Sequence, residues 1–322
     1  MKNFFLIILL TLYSNCLFAF DLQKAKSEFP KNDFENTTIF LDEIISGGPP
    51  RDGILPIDRP KFIKMPISMG LQEPVIYLEI NNEAKIYPIR ILTWHEIVND
   101  QVGGIPVSVT YCPLCNASIV FDRRFKGQIL DFGTSGRLRK SDLIMYDRQT
   151  ETWWQQFTGE GIVGKLAGKK LKKIPALIIS FEEALKINKN KGYQNKILKG
   201  IGARRYGDNP YVGYDKSGFP FLYSGGLPRD ISPMDYVIVI EDMAYSLSLI
   251  QREKIIKKKG IIITWSEGLN SALEDRKIKK GRDLGFVRVQ KEVNGKLQDI
   301  VYDYTFAFVY HAFHNGKKVI QK

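Results

Sequence analysis

Cysteine and histidine are scarce, at three of each in 322 residues. Two of the cysteines stand together in Tyr111-Cys112-Pro113-Leu114-Cys115-Asn116, and the third, Cys16, lies in an N-terminal segment of different character. No second apolar stretch approaches the roughly 20 residues that a membrane helix needs. The glycine- and proline-rich run Ser46 to Gly53 lacks the Lys-Ser/Thr of a phosphate-binding loop, and its prolines have no amide to donate. There is no Gly-x-Ser-x-Gly elbow and no His-Glu-x-x-His helix, which removes the commonest serine-hydrolase and zinc-protease signatures. Acidic residues are outnumbered 35 to 47, for a formal net charge of +12.

The start of the chain is a leader by its grammar. Lys2 precedes the apolar run Phe4 to Leu10, and Leu17-Phe18-Ala19 closes it on a small residue. That pattern predicts a secretory signal peptide cleaved after Ala19, over residues 1–19. Lipid attachment at Cys16 is the alternative, but Tyr13-Ser14-Asn15 is a poor context for it. The expected product is periplasmic or secreted, with no membrane span after cleavage. Basic runs at Lys169 to Lys173, Lys254 to Lys259 and Arg276 to Arg282 read as solvated loops. Export argues against a nucleic-acid partner. In an oxidising compartment thiols tend to pair, so a surviving dithiol requires a metal or a recycling reductant.

Period-two apolar patterns dominate and predict a mainly β, α+β protein with a few short helices. Val75 to Ile80 and Lys85 to Arg90 flank Asn81-Asn82-Glu83 as a hairpin, followed by strands at 107–111, 117–121 and 128–132. Short helices are expected at 91–98 and at 181–187, the latter capped by Ser180 with Glu183 three residues on. Parts of the chain recur in order. Thr110 to Asn116 aligns with Thr264 to Asn270, Asp122 to Gly127 with Asp275 to Gly281, and Val75 to Glu79 with Val237 to Glu241. The expectation is an internal duplication into two pseudo-symmetric β-rich halves. The first repeat spans 20–190, a connecting loop 191–232, and a degenerate second repeat 233–322. The second copy carries Ser266 and Leu269 where the first carries cysteines, so the strand-and-turn scaffold does not itself require them.

Three arrangements fit the cysteine pair. A redox site of thioredoxin type wants the pair at a helix N-terminus, whose dipole lowers the thiol pKa. Here Asn116 to Phe121 favours a strand. A metal knuckle wants a tight turn between strands, and Pro113 and Asn116 suit one. A plain disulfide is the third. Zinc or copper needs three or four ligands, and the candidates are His95 in Trp94-His95-Glu96, and His311 and His314, three apart and therefore on one face if helical. Met145 is a possible soft ligand for copper, but in an apolar strand it reads as core, as does Trp153-Trp154.

The strings SGGPPRDGI (46–54), AKIYPIRILTWHEIVND (84–100), VTYCPLCNASIVFDRR (109–124) and SDLIMYDRQT (141–150) resemble domain-of-unknown-function family 3179 over most of the chain. The resemblance implies an exported or surface location and no agreed activity. The family pattern maps onto His95, Cys112, Cys115 and, through a C-terminal alanine-phenylalanine-histidine, His314. The expected function is thus an exported metal-binding protein. Its mononuclear site uses two cysteines and two histidines, His95, Cys112, Cys115 and His314. The ion is a transition metal, copper narrowly ahead of zinc, serving electron transfer or copper handling. A redox or metal-delivery partner would follow from either role. The alternatives are a thiol-disulfide oxidoreductase using the pair, or a binding module with a structural disulfide.

Overall fold

Asn81 and Asn82 both adopt positive φ (47° and 63°), the conformation that lets a two-residue turn follow the right-handed twist of its strands. They join β1 (Pro74–Ile80) to β2 (Glu83–Pro88) as the hairpin that the alternating pattern predicts. The computed structural model describes residues 20–66 and 68–322, so the leader and Cys16 lie outside the described residues. Before the hairpin comes helix α1 (Leu22–Glu28), whose Asp21 cap accepts from the Lys24 amide at 2.9 Å.

Helix α2 (Ile89–His95) follows β2 directly and stops at Glu96, which takes φ of 57°. The Glu96 amide still donates to Leu92, while its carbonyl accepts from Tyr111 at 2.8 Å. That second bond fastens the helix end to the strand that carries the cysteines. β3 (Ile97–Val102), β4 (Ile105–Cys112) and β5 (Ala117–Asp122) form an antiparallel meander, with Lys173–Ile174 as its outer strand. A further sheet is built around β6 (Phe132–Arg139), β7 (Asp142–Asp147) and β8 (Trp153–Gln155). β9 (Leu177–Ser180) then pairs with β1, Ser180 caps α3 (Phe181–Lys191), and β10 (Ile197–Lys199) lies parallel to β2.

The rest of the chain contributes β11 (Tyr236–Ile240), β12 (Met243–Ser246), α4 (Leu247–Glu253), β13 (Ile255–Lys258) and β14 (Ile261–Ser266). It closes with β15 (Phe286–Val293), β16 (Lys296–Asp299), β17 (Asp303–Phe306) and α5 (Ala307–Phe313). β11 sits between β12 and β17 in one sheet, and β13 to β16 make another in chain order. The fold class is therefore mainly β with five short helices among the described residues.

Two expectations need adjusting. The strand expected at 128–132 is only Gln128–Ile129 paired with Arg124–Phe125, because Phe132 turns inward to begin β6. The expected connecting loop starts late, since the apolar Ile197 and Leu198 are buried and draw β10 into the first sheet. One large core joins residues from both ends of the chain, among them Ile76, Val109, Phe121 and Met145 with Ile238, Tyr304 and Phe308. Met145 and Trp154 are core there, as their apolar strands suggest.

A smaller core holds the N-terminal arm. Trp153 is fully buried and meets the rings of Phe20, Phe29 and Phe34 edge-on. Removing so large a side chain leaves a cavity that a close-packed interior fills only in part. Trp153→Ala is expected to lower stability by about 3–5 kcal/mol and to speed proteolysis within residues 20–40. Urea denaturation and limited digestion would check both.

Candidate metal centre

Cys112 ends β4, Cys115 closes the turn into β5, and the register brings Cys112 opposite Ala117. Within the turn the Cys115 amide donates to the Cys112 carbonyl and the Asn116 amide to Pro113, with Asn116 at φ of 47°. A side chain with a short polar arm tolerates that left-handed conformation. The Tyr111 hydroxyl donates to Asn116 Oδ1 at 3.1 Å and holds the turn flat against its own strand. The arrangement is a strand–turn–strand knuckle. Neither cysteine has a helix N-terminus behind it.

The third member of the cluster comes from another sheet. One oxygen of Asp142, at the start of β7, lies within 4.8 Å of both sulfurs, which lie within 4.8 Å of each other. All three groups are buried, Asp142 and Cys115 completely. Asp142 Oδ2 is engaged, accepting from Gln155 Nε2 at 2.7 Å and from the Phe157 amide at 2.8 Å. Its other oxygen, Oδ1, is buried with no hydrogen-bond partner. A buried carboxylate oxygen left in that state costs free energy unless a proton or a cation meets it.

The turn before Asp142 supplies a further oxygen. Lys140 and Ser141 are both in the left-handed region, at φ of 54° and 65°. They aim the Ser141 carbonyl at the thiols, which donate to it at 3.8 Å from Cys112 and 3.5 Å from Cys115. Around this core, Thr305 Oγ1 donates to the Cys115 carbonyl at 2.7 Å, and the Tyr214 hydroxyl to the Leu114 carbonyl at 3.0 Å.

The electrostatics are those of a site that is short of positive charge. Burial pushes the Cys112 thiol up and the Cys115 thiol well up. Burial likewise pushes Asp142 up to about 6. Glu96, buried beside it, is pushed up to about 8, by burial first and then by the Asp142 charge. Among the described residues, no lysine or arginine pairs with either carboxyl.

The two histidines expected here are elsewhere. His95 Nδ1 contacts the Leu55 carbonyl at 2.7 Å, so it carries the proton, and Nε2 meets the Tyr206 hydroxyl at 2.6 Å. Both ring nitrogens are thereby occupied within the protein. His314 falls one residue past α5 as its C-cap, its amide still donating to the Tyr310 carbonyl. Its ring leans on Tyr310 at 4.6 Å, in an open cleft of about 610 Å³ shared with Lys140, Phe157 and Asp303. Among the described residues, the cysteines' only partner with ligand chemistry at that range is Asp142. Sequence reasoning missed Asp142 because it lies 27 positions beyond Cys115. The available signal was an acid opening the otherwise apolar Asp142-Leu143-Ile144-Met145 strand.

The fold and the cluster define a β-rich protein with a buried dithiol–carboxylate centre. The family model described as "Protein of unknown function (DUF3179)" matches residues 51–317, and the chain belongs to that family. No curated protein and no solved structure matches it.

The raised carboxyls have a consequence for stability. A carboxyl whose folded pKa lies above its ordinary value favours folding while protonated. That contribution is complete below about pH 4 and is lost as pH rises through the folded pKa. For Asp142 the loss runs from its ordinary 3.8 to about 6, and for Glu96 from 4.5 to about 8. Metal-free, reduced protein is therefore expected to be less stable at pH 8.5 than at pH 5, by on the order of 5 kcal/mol. Glu96→Gln should remove the part of that loss between pH 6 and 8. Chemical denaturation across pH would show it.

Proposed function

We propose that this is an exported metal-binding protein whose centre is Cys112, Cys115 and Asp142, holding one thiophilic transition-metal ion. The observation that carries the reading is the fully buried Asp142 carboxyl, one oxygen of which lies within 4.8 Å of two buried thiols. A divalent ion bound to two thiolates and a carboxylate supplies the missing charge. Ligand atoms around a tetrahedral zinc ion are roughly 3.3–3.8 Å apart. The three atoms here already lie within 4.8 Å of one another, so small side-chain rotations suffice.

The mixed donor set bears on the metal. Copper(I) is satisfied by soft thiolates alone and would leave the carboxylate charge uncompensated, whereas zinc accepts sulfur and oxygen together. The geometry thus favours zinc over the copper that a cysteine–histidine set would suit. The Ser141 carbonyl stands where a fourth donor is needed. Binding displaces the two thiol protons, so affinity should climb with pH.

A dithiol–disulfide couple is the second reading, favoured by two free thiols that share one carbonyl acceptor. It is weaker because burial raises both thiols instead of activating one as a thiolate.

Metal analysis of protein exported to the periplasm separates these. Near-stoichiometric metal is expected in the parent protein and in His95→Ala and His314→Ala. It should fall close to zero in Cys112→Ser, and at least tenfold affinity should be lost in Asp142→Asn. Metal lost in His314→Ala but kept in Asp142→Asn would restore the cysteine–histidine site. Protein that stays metal-free after reduction and reconstitution would leave the redox couple.

We also infer that the chain arose by internal duplication. The β1–β2 hairpin, α2 and the β3–β4 hairpin match, in order, the β11–β12 hairpin, α4 and the β13–β14 hairpin. α4 ends like α2, on a non-glycine residue at positive φ, Lys254 at 61°. Lys254 also accepts from Trp265 as Glu96 does from Tyr111. β9 and β17 flank the first strands of the two sets, and α3 and α5 follow them. Even the return is paralleled, with Ile197 beside β2 and Ile320 beside β12, both in parallel.

A further inference from the structure

The centre is sealed, yet any ion must enter it. Its cover is the segment before β11, and the way that segment is held is unusual. Across residues 218–231, apart from a local turn at 221–222, no backbone-to-backbone hydrogen bond ties the segment to the rest of the chain among the described residues. The strap is tied by side chains instead. Tyr214 Oη accepts from the Phe221 amide at 3.2 Å while donating to Leu114 in the cysteine turn. Ser141 Oγ donates to the Phe221 carbonyl at 2.6 Å, and Ser141 is the residue whose own carbonyl receives both thiols. Phe221 is thus clipped on both sides of its backbone to the walls of the site.

The flanks contrast with this. On the N-terminal side, the Gly213 and Tyr214 amides donate to Glu274 and Leu273. Asp215, its side chain fully buried, accepts from Tyr236 and Ser271 and pairs with Arg282 at 3.0 Å. Residues 213–215 are therefore pinned to the second half of the chain, and the strap begins just after the turn at 213–217. Phe219 and Phe221 are 74% and 60% exposed, so their rings add little to holding it down. Apolar anchorage comes from the buried Pro220, from Leu222 against the large core, and from the Tyr223 ring, which meets Phe308 at 5.1 Å. Segments with few backbone bonds and little burial open at a lower free energy than the fold as a whole.

We propose that residues 218–222 form a gate over Cys112 and Cys115, pivoting just after the pinned turn at 213–217 and latched by the Tyr214 and Ser141 hydroxyls at Phe221. Opening exposes the thiols to an incoming ion or to a partner's thiolate. It also frees Ser141, and with it the carbonyl that faces the sulfurs, so opening and release of the centre are coupled. The gate's purpose rests on the metal site proposed above, but its test does not.

The test is the rate at which a thiol reagent modifies the pair in reduced, chelator-treated protein, in a Cys16→Ser background so that only Cys112 and Cys115 report. Local opening predicts a rate almost independent of urea well below the unfolding midpoint. Tyr214→Phe and Ser141→Ala should each accelerate it about fivefold, beyond any change in global stability measured alongside. A rate that follows the global unfolding slope down to zero urea would overturn the gate. So would variants whose rates move only with their global stability. Should a variant fail to fold, the urea dependence of the parent protein still decides the matter. Local opening in a protein that takes up no zinc would keep the gate and reject the metal reading.

Discussion

Two successive residues in the left-handed conformation, Lys140 and Ser141, determine what the centre can be. Left-handed backbone costs a side-chain-bearing residue roughly 1–2 kcal/mol, and here two are paid in a row between β6 and β7. The reversal places a main-chain carbonyl and then a carboxylate, from adjacent residues, against the cysteine turn of a different sheet. A relaxed two-glycine turn would reverse the chain equally well, but it would carry no hydroxyl to fasten Phe221. The strain is held by what surrounds it. Lys140 Nζ donates to the Ala312 carbonyl at 2.8 Å, and Gln155 and Phe157 fix the carboxylate beyond.

Both ends of the chain converge on this point. Cys112, Cys115 and Asp142 come from the first part, Tyr214 from the segment between, and Thr305 from β17 near the end. The knuckle carbonyls of Leu114 and Cys115 would otherwise be buried acceptors without donors, and these two side chains satisfy them. The later part of the chain therefore contributes to the centre without supplying a ligand to the cluster. β17 from that later part lies against the cysteine turn through the Thr305 hydroxyl.

Local chemistry was legible in the sequence wherever one stretch of chain decides the outcome. The Asn81-Asn82 hairpin, the Ser180 cap, and the Pro113–Asn116 turn between two strands all follow from residues within a few positions of each other. The cysteine turn was recognisable as a knuckle for that reason. What completes it was not, because Asp142 meets the cysteines through the packing of one sheet on another, and no local pattern encodes that contact. Scarcity singles out the histidines, and the structure sets neither His95 nor His314 in the cysteine cluster. With three in the chain, each looked reserved for chemistry, yet His95 serves as a buried hydrogen-bonding link between Leu55 and Tyr206. His314 closes α5 as its C-cap, with its ring against Tyr310.

The charge balance of the centre explains why burial and opening belong together. Among the described residues no lysine or arginine pairs with the two carboxyls, and burial raises Asp142 to about 6 and Glu96 to about 8, so near neutral pH Glu96 keeps its proton and Asp142 loses its own. On the proposed metal reading, a bound cation would supply the missing positive charge and replace weak thiol hydrogen bonds with bonds to metal, and so would stabilise the closed state. Without the ion, each thiolate or carboxylate that forms as pH rises favours the open state, where water can solvate it. The gate at Phe221 then needs only its two side-chain latches. On the proposed metal reading, closure would be completed by the ion enclosed, and release would follow when a competing thiolate takes the ion.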